Sequence, residues 1–464
     1  MKKLFLFTIL ILSFVIQAKS QSVEDSLKEQ IGEIKDRISG LDERLLTSES
    51  SLSKLTKIKL SGYIQAQYDN FENKLSAPSL YNYFSIRRAR LKVTYEAAEG
   101  IKFVLQPDFA PGSLSLKDAY VVLNEQWIKS GILKKTFSLW AGKFNRPNYE
   151  VEYSSSQREV PERSLIIRTL YPGERAIGAK LEVTPESIPL KIQLAIFNGN
   201  DGGFTQYSDT TGKSTSNTIE NKDYDNFKDY MARATYSFKL GSFGGLDIGA
   251  HAYFGSLKSS TNATLRSDYK TIDSSKVGNS VSRNWFGGEF QFFADVLGGM
   301  SLKGEYITGN NATLGGAKFA NGNLLPNFQN KFAGYYVYLI KNVGRKNQFA
   351  FRYDFYDPNT SVSGSDVNVL KFTGDNTMKI GALKCTKADL AYTTYTLAWH
   401  YYFDDNIRIT LAYSIVQNEK VGKNASGTSN LIETYTNPNG TPGTIDYSQI
   451  FRENQLTLRL QAKF

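Results

Sequence analysis

From Lys57 to the C-terminus, apolar and polar residues alternate with period two in short runs separated by polar connections. The last run shows it most plainly. Leu456, Leu458, Leu460, Ala462 and Phe464 fall on one face, and Gln455, Thr457, Arg459, Gln461 and Lys463 on the other, because strand side chains alternate sides. A strand of about ten residues crosses a bilayer at barrel tilt, with lipid on the apolar face and water on the polar one. The first run repeats the pattern, with Ile58, Leu60, Gly62, Ile64, Ala66 and Tyr68 outward and Lys59, Ser61, Tyr63, Gln65 and Gln67 inward. About sixteen such runs are predicted, at 57–69, 84–96, 101–109, 117–124, 136–144, 175–183, 191–198, 228–238, 245–255, 283–293, 300–308, 331–340, 347–356, 392–403, 407–415 and 454–464. Connections after even-numbered runs are mostly short (97–100, 239–244, 341–346, 404–406), and those after odd-numbered runs mostly long (199–227, 256–282, 309–330, 357–391, 416–453). That asymmetry is the rule for transmembrane barrels, with tight periplasmic turns and long external loops. The expected fold is therefore all-β, a transmembrane antiparallel β-barrel of about sixteen strands, with an even count returning the last strand beside the first.

The first 56 residues have a different pattern. Lys2 and Lys3 precede an apolar run from Leu4 to Ile16, and Ala18-Lys19-Ser20 supplies small residues for cleavage. Residues 1–20 read as a signal peptide, too short in its apolar part to anchor as a helix. In residues 21–56, Ile31, Ile38, Leu45 and Leu52 recur every seven positions, with Leu27, Ile34, Leu41 and Leu55 between them. This predicts a short periplasmic coiled-coil helix, and Ile at both core positions favours a trimer. A single amphipathic helix on the barrel mouth is the alternative, helped by Gly40, which weakens a helix by about 1 kcal/mol. Residues 57–464 form the barrel. The stretch between the two is far too short for a plug domain, which excludes a gated transporter of the plugged type.

Composition narrows the function. The chain has 464 residues, 37 Gly, 28 Tyr and 29 Phe, a mixture suited to strands that need apolar residues only at alternate positions and aromatics at both interfaces. Cys385 is the only cysteine, so neither a disulfide framework nor a thiolate metal site is expected. His251 and His400 are the only histidines, both inward by alternation. There is no phosphate-binding Gly-rich loop, no His-Glu-x-x-His and no Gly-x-Ser-x-Gly. No catalytic residue, metal site, cofactor or nucleic-acid partner is expected.

Alternation also assigns the lumen. Lys59, Arg88, Arg90, Lys92, Lys102, Lys180, Lys191, Arg233, Lys303, Arg352, Arg408, Arg459 and Lys463 point inward, against Asp69, Asp108, Asp118, Glu182, Asp247, Glu289, Glu305 and Asp354. Fixed positive charge in a narrow tube concentrates anions, and Arg88, Arg90 and Lys92 stack on one face of one strand. The alternative is a polar wall whose charges pair across strands. The connection Asn145–Glu174 stands apart, with Arg158, Arg163, Arg168, several glutamates, and Pro147, Pro161 and Pro172. Such a loop either folds inward as a constriction or caps the outside. Loops 199–227 and 416–453, rich in Gly, Ser, Thr and Asn, suit the exposed surface.

The Phe84–Lys92 run with its Arg-Arg-Ala-Arg-Leu core, Leu105-Gln-Pro-Asp-Phe109, Gly142-Lys-Phe-Asn-Arg-Pro147, Phe197-Asn-Gly199, Gly304-Glu-Tyr306, Arg352-Tyr-Asp-Phe-Tyr-Asp-Pro-Asn359 and the closing Leu458–Phe464 resemble the phosphate-selective porin O and P family. The resemblance runs from about Lys57 to the end. It implies a sixteen-stranded homotrimeric porin of the Gram-negative outer membrane, narrowed by its third external loop, here Asn145–Glu174, and carrying phosphate or polyphosphate. The expected partners are small anionic solutes and outer-membrane lipid. The expected pore-lining, anion-binding residues are Arg88, Arg90, Lys92, Lys102, Arg158, Arg163, Arg168, Lys180 and Arg233. Passive diffusion of small anions is the leading function. A general or sugar-permeable porin, or an envelope anchor using the coiled coil, are the alternatives.

Overall fold

The computed structural model describes residues 56–464 except 73–81, 111, 113, 132, 200–203, 208–213, 218–222, 224, 297, 316–325, 368–369, 373–382, 437–439 and 451–452, together with scattered positions between Gln30 and Leu45. The chain divides into two units, Met1–Lys59 and Leu60–Phe464. In the first, the described positions from Gln30 to Leu45 are helical, with Leu41 and Leu45 exposed. The signal peptide and most of the heptad series lie outside the described residues.

The second unit is a closed barrel of 16 antiparallel strands. They are β1 (Ile58–Phe71), β2 (Asn82–Ala98), β3 (Ile101–Asp108), β4 (Ser115–Asn124), β5 (Phe137–Asn145), β6 (Arg175–Val183), β7 (Leu190–Phe197) and β8 (Asp229–Lys239). The ring continues with β9 (Gly244–Lys258), β10 (Ser280–Ala294), β11 (Met300–Thr313), β12 (Asn327–Val343), β13 (Asn347–Asp357), β14 (Tyr392–Tyr402), β15 (Ile407–Asn418) and β16 (Gln455–Lys463). Each strand pairs with its chain neighbours, and β16 closes on β1 with Tyr63 opposite Lys463 and Phe71 opposite Gln455. Closure removes both sheet edges, the condition for a sheet in lipid. Every alternating run in the sequence is a strand of this ring.

The two-faced pattern persists in three dimensions. On β16, Leu458 and Leu460 are about half exposed, whereas Thr457, Arg459 and Gln461 are buried. On β1, Ile58, Leu60 and Ile64 are exposed and Gln65, Gln67 and Asp69 buried.

Loop 416–453, expected to suit the exposed surface, buries part of itself against two other loops. Leu265 and Tyr269, Val367, Cys385 and Leu390, and Val421, Ile445 and Tyr447 come from three different loops and share one apolar cluster. Asp389 binds two of these loops together, accepting from the Tyr269 hydroxyl at 2.8 Å and from Asn359 Nδ2 at 2.9 Å. The Gly, Ser, Thr and Asn content of 416–453 hid the few apolar residues that make it pack.

Candidate pore constriction

The connection from β5 to β6 contains two short helices, α1 (Tyr149–Glu152) and α2 (Leu165–Leu170). Asn148 caps α1, its side-chain oxygen accepting from the backbone N–H of Glu150 at 3.1 Å and Val151 at 3.3 Å. Val151, Ile166 and Ile167 are fully buried, as are Val160, Leu170 and Tyr171 to within a few per cent. They pack on an aromatic belt of inward-facing residues that includes Phe197, Tyr253, Trp285, Phe332 and Tyr356. Tyr253 and Trp285 stack at 3.8 Å, and Trp285 Nε1 donates to the Tyr171 hydroxyl at 2.9 Å. Ile166 fills the space left by Gly334, where an added Cβ would come within 2.8 Å of the Ile166 Cδ1.

Polar contacts fix the loop around the ring. Gln65 on β1 donates to the Ser155 carbonyl at 3.2 Å, Gln193 on β7 to Glu152 at 2.5 Å, and Asn148 to Glu305 on β11 at 2.6 Å. Asp354 on β13 accepts from the Leu165 N–H at 2.8 Å, and Arg459 on β16 donates to the Pro161 carbonyl at 3.0 Å. Lys303 meets Glu159 at 2.7 Å, and His400 on β14 bonds the Glu159 carbonyl at 2.7 Å. One segment that touches β1, β7, β11, β13, β14 and β16 through their inward side chains lies within the ring.

The loop leaves a cleft of about 360 Å³ against the wall of β2–β7. Its charged lining is Arg90, Lys92, Arg175, Lys180 and Lys191 against Asp118, Glu152 and Glu182, and Tyr120, Trp140 and Phe144 add an aromatic strip. Tyr120 stacks on Trp140 at 4.9 Å, and the Lys180 ammonium sits 3.9 Å from the Trp140 ring centre, a cation–π contact. A barrel of this size, lined by charge and narrowed by its own loop, is built as a solute channel.

The model of the phosphate-selective porin O and P family matches residues 58–435. The chain belongs to that family. It is an outer-membrane porin. Among solved structures, the anion-selective porin from Comamonas acidovorans matches with a TM-score of 0.50 and 11% identity, over 88% of this chain and 99% of that one. Pseudomonas putida OprB matches with 0.52 and 8%, over 90% and 96%. These likenesses establish the fold. The comparison with curated proteins finds no match.

The expected pore-lining residues of this porin divide into five groups. Arg90, Lys92 and Lys180 line the cleft. Arg90 is also held by Asp108 at 2.7 Å and Tyr63 at 2.9 Å, and Lys180 by Glu182 at 3.1 Å. Lys92 has no hydrogen-bond or ion-pair partner among the described residues. Arg88 and Arg233 are buried behind the loop: Arg88 donates to Gln65 at 2.9 Å, and Arg233 bridges Glu289 at 2.6 Å and Glu152 at 2.7 Å. Arg158 and Arg163 fold the loop on itself. Both bind Glu174, Arg158 at 2.8 Å, and Arg163 also donates to the carbonyls of Glu150, Val151 and Tyr153. Arg168 is exposed and faces a second cavity of about 420 Å³, lined also by Glu162, Arg352 and Asp354. Lys102 lies outside the cleft, half exposed, 3.8 Å from Glu96.

Arg175 and the aromatic strip escaped sequence reasoning. Alternation puts Arg175 opposite in sense to Lys180, but Gly173 and Glu174 take φ of +74° and +69° just before it, so the pleat does not yet set its direction. Its guanidinium reaches Asp118 at 3.0 Å and Glu174 at 2.6 Å. Two of the loop carboxylates, Glu152 and Glu162, are held ionised. Burial pushes Glu152 upward, but Arg233, Lys191, Gln193 and Lys180 outweigh it and set it at about 2. Burial acts likewise on Glu162, where Arg87, Arg88, Arg158 and Arg459 keep it far below the ordinary carboxylate range.

Proposed function

We propose that this porin passes small anionic solutes by passive diffusion, and that loop 145–174 sets the narrowest point of the path. The observation that carries the reading is the cleft between the loop and β2–β7, where five cationic side chains face three carboxylates. Confined fixed charge of one sign enriches the opposite mobile ion. The guanidinium forks of Arg90 and Arg175 and the ammonium of Lys92 suit carboxylate and phosphate oxygens. Family membership supports phosphate or polyphosphate as the solute class. Planar-bilayer recording across a KCl gradient tests this: the reversal potential takes the sign of chloride preference, and phosphate lowers the chloride current. A cation-biased or unbiased channel overturns the anion reading.

The aromatic strip Tyr120–Trp140–Phe144 favours a second reading, in which the cleft passes sugars, since ring faces stack on the apolar faces of pyranoses. A malto-oligosaccharide that blocks current while phosphate does not would select it.

A further inference from the structure

We propose that His251, Glu289 and Glu305 form a binding site for one divalent transition cation of the zinc class, beneath the loop on the inner wall of β9–β11. Their ligand atoms all lie within 4.8 Å of one another, and all three residues are buried. Glu289 and Glu305 stand directly opposite on adjacent strands, a pairing that like charges disfavour. Arg233 compensates Glu289, at 2.6 Å. Among the described residues Glu305 has only neutral donors, Asn148 at 2.6 Å and the Tyr336 hydroxyl, apart from the His251 ring.

That ring is the second and independent observation. Neither His251 nitrogen has a hydrogen-bond partner among the described residues, although the residue is only 4% exposed. Its Nδ1 lies 3.3 Å from Glu305 Oε1 without the alignment of a hydrogen bond. Buried polar atoms left without partners are costly, so a ring with both nitrogens unused beside two opposed carboxylates is unusual. The backbone makes room for it. A Cβ at Gly287, the cross-strand partner of His251, would collide with the imidazole, and one at Gly249 would come within 2.8 Å of Glu289.

The chemistry suits the ion. One imidazole nitrogen and two carboxylate oxygens are zinc donors, at about 2.0–2.2 Å from the metal. Ligands on such an ion stand roughly 3.3–3.6 Å apart, which the His251–Glu305 spacing already meets. Glu289 must close by about an ångström while keeping a lone pair for Arg233. The bound cation offsets the surplus negative charge of the opposed pair. Because Glu305 also holds Asn148, the N-cap of α1, the ion would fix the seat of the loop.

The test uses the full mature chain folded into detergent from denaturant with zinc present, then dialysed against a weak chelator. Wild type retains one zinc per chain. His251→Gln weakens retention by at least about tenfold, since loss of a ligand costs no less than loss of its supporting shell. His400→Gln retains zinc as wild type does, because both nitrogens of that ring are already engaged, by Thr410 at 2.8 Å and Glu159 at 2.7 Å. Equal retention by wild type and His251→Gln, or none by wild type, overturns the proposal and leaves an ordinary buried imidazole. Should His251→Gln fail to fold, zinc-edge X-ray absorption on wild type decides. An imidazole with carboxylate oxygens supports the site, and a shell without imidazole rejects it.

Discussion

Lys92→Glu is the most informative single change in the cleft. The side chain lines the cleft beside Arg90 and Lys180, and the substitution breaks no ion pair among the described residues. The barrel should therefore fold as before, and the effect falls on the permeating ion. A unit charge about 4 Å away is worth about 1 kcal/mol in water, and more where water is partly excluded. Reversal changes the interaction with an anion by two charges, about 2 kcal/mol, or roughly thirtyfold in the local anion concentration. Screening over about 8 Å reduces this for ions that do not pass in contact. The anion-to-cation permeability ratio should fall between about threefold and thirtyfold, read as a shift of reversal potential toward the cation value. Lys102→Glu is the control, since Lys102 lies outside the cleft near Glu96, and it should shift the potential far less. Equal shifts from the two variants, or none from Lys92→Glu in a conducting channel, would refute the placement of the solute path.

Replacing residues 155–170 by a short Gly/Ser linker should raise single-channel conductance several-fold and lower anion preference; unchanged conductance in a variant that inserts counts against the loop as the constriction. Glu152 and Glu162 are depressed in the folded protein, so their stabilising effect is fully present above about pH 4.5 and is lost as pH falls toward 2. Heat resistance of the folded barrel in detergent should be flat from pH 8 to about 5 and decline below that; a decline beginning near neutrality would mean that other groups dominate. Removing residues 21–56 should lower the temperature at which oligomers dissociate in detergent, if Ile31, Ile34 and Ile38 form a trimeric seam; oligomers of unaltered heat stability would assign the segment another task.

The strands were legible because a membrane barrel imposes one constraint on every residue of every strand, lipid on one side and water on the other. The inward seat of loop 145–174 was less so. Its anchoring residues, Ile166, Ile167, Leu170 and Tyr171, follow helical spacing for little more than one turn of the six-residue α2, too short a run to stand out from the charge around it. Their receptors, Tyr253, Trp285 and Phe332, occupy inward positions that the barrel rule assigns to polar residues. Arg158 and Arg163 illustrate the limit on charge reading. An arginine in a loop is equally suited to a solute and to Glu174, and only folded distances distinguish the two. The grouping of His251, Glu289 and Glu305 is further removed still, since it depends on the register of three strands rather than on any spacing along the chain.

Charge pairing also explains how a loop rich in glutamate can sit in a channel proposed to favour anions. Glu159 binds Lys303, Glu162 binds Arg87 at 2.9 Å and Arg459 at 3.2 Å, and Glu152 binds Arg233 and Lys191. Each of these three loop carboxylates is matched to a wall cation, so those pairs seat the loop and present little net charge to a solute. Across the cleft the balance differs, because Lys92 has no ion-pair partner among the described residues and Arg90 and Arg175 reach the open space from their partners. The lumen as a whole is therefore a poor guide to selectivity. What a passing ion meets is the residue of a subtraction in which seating the loop consumes most charges of both signs, and the side of β2–β7 keeps the remainder.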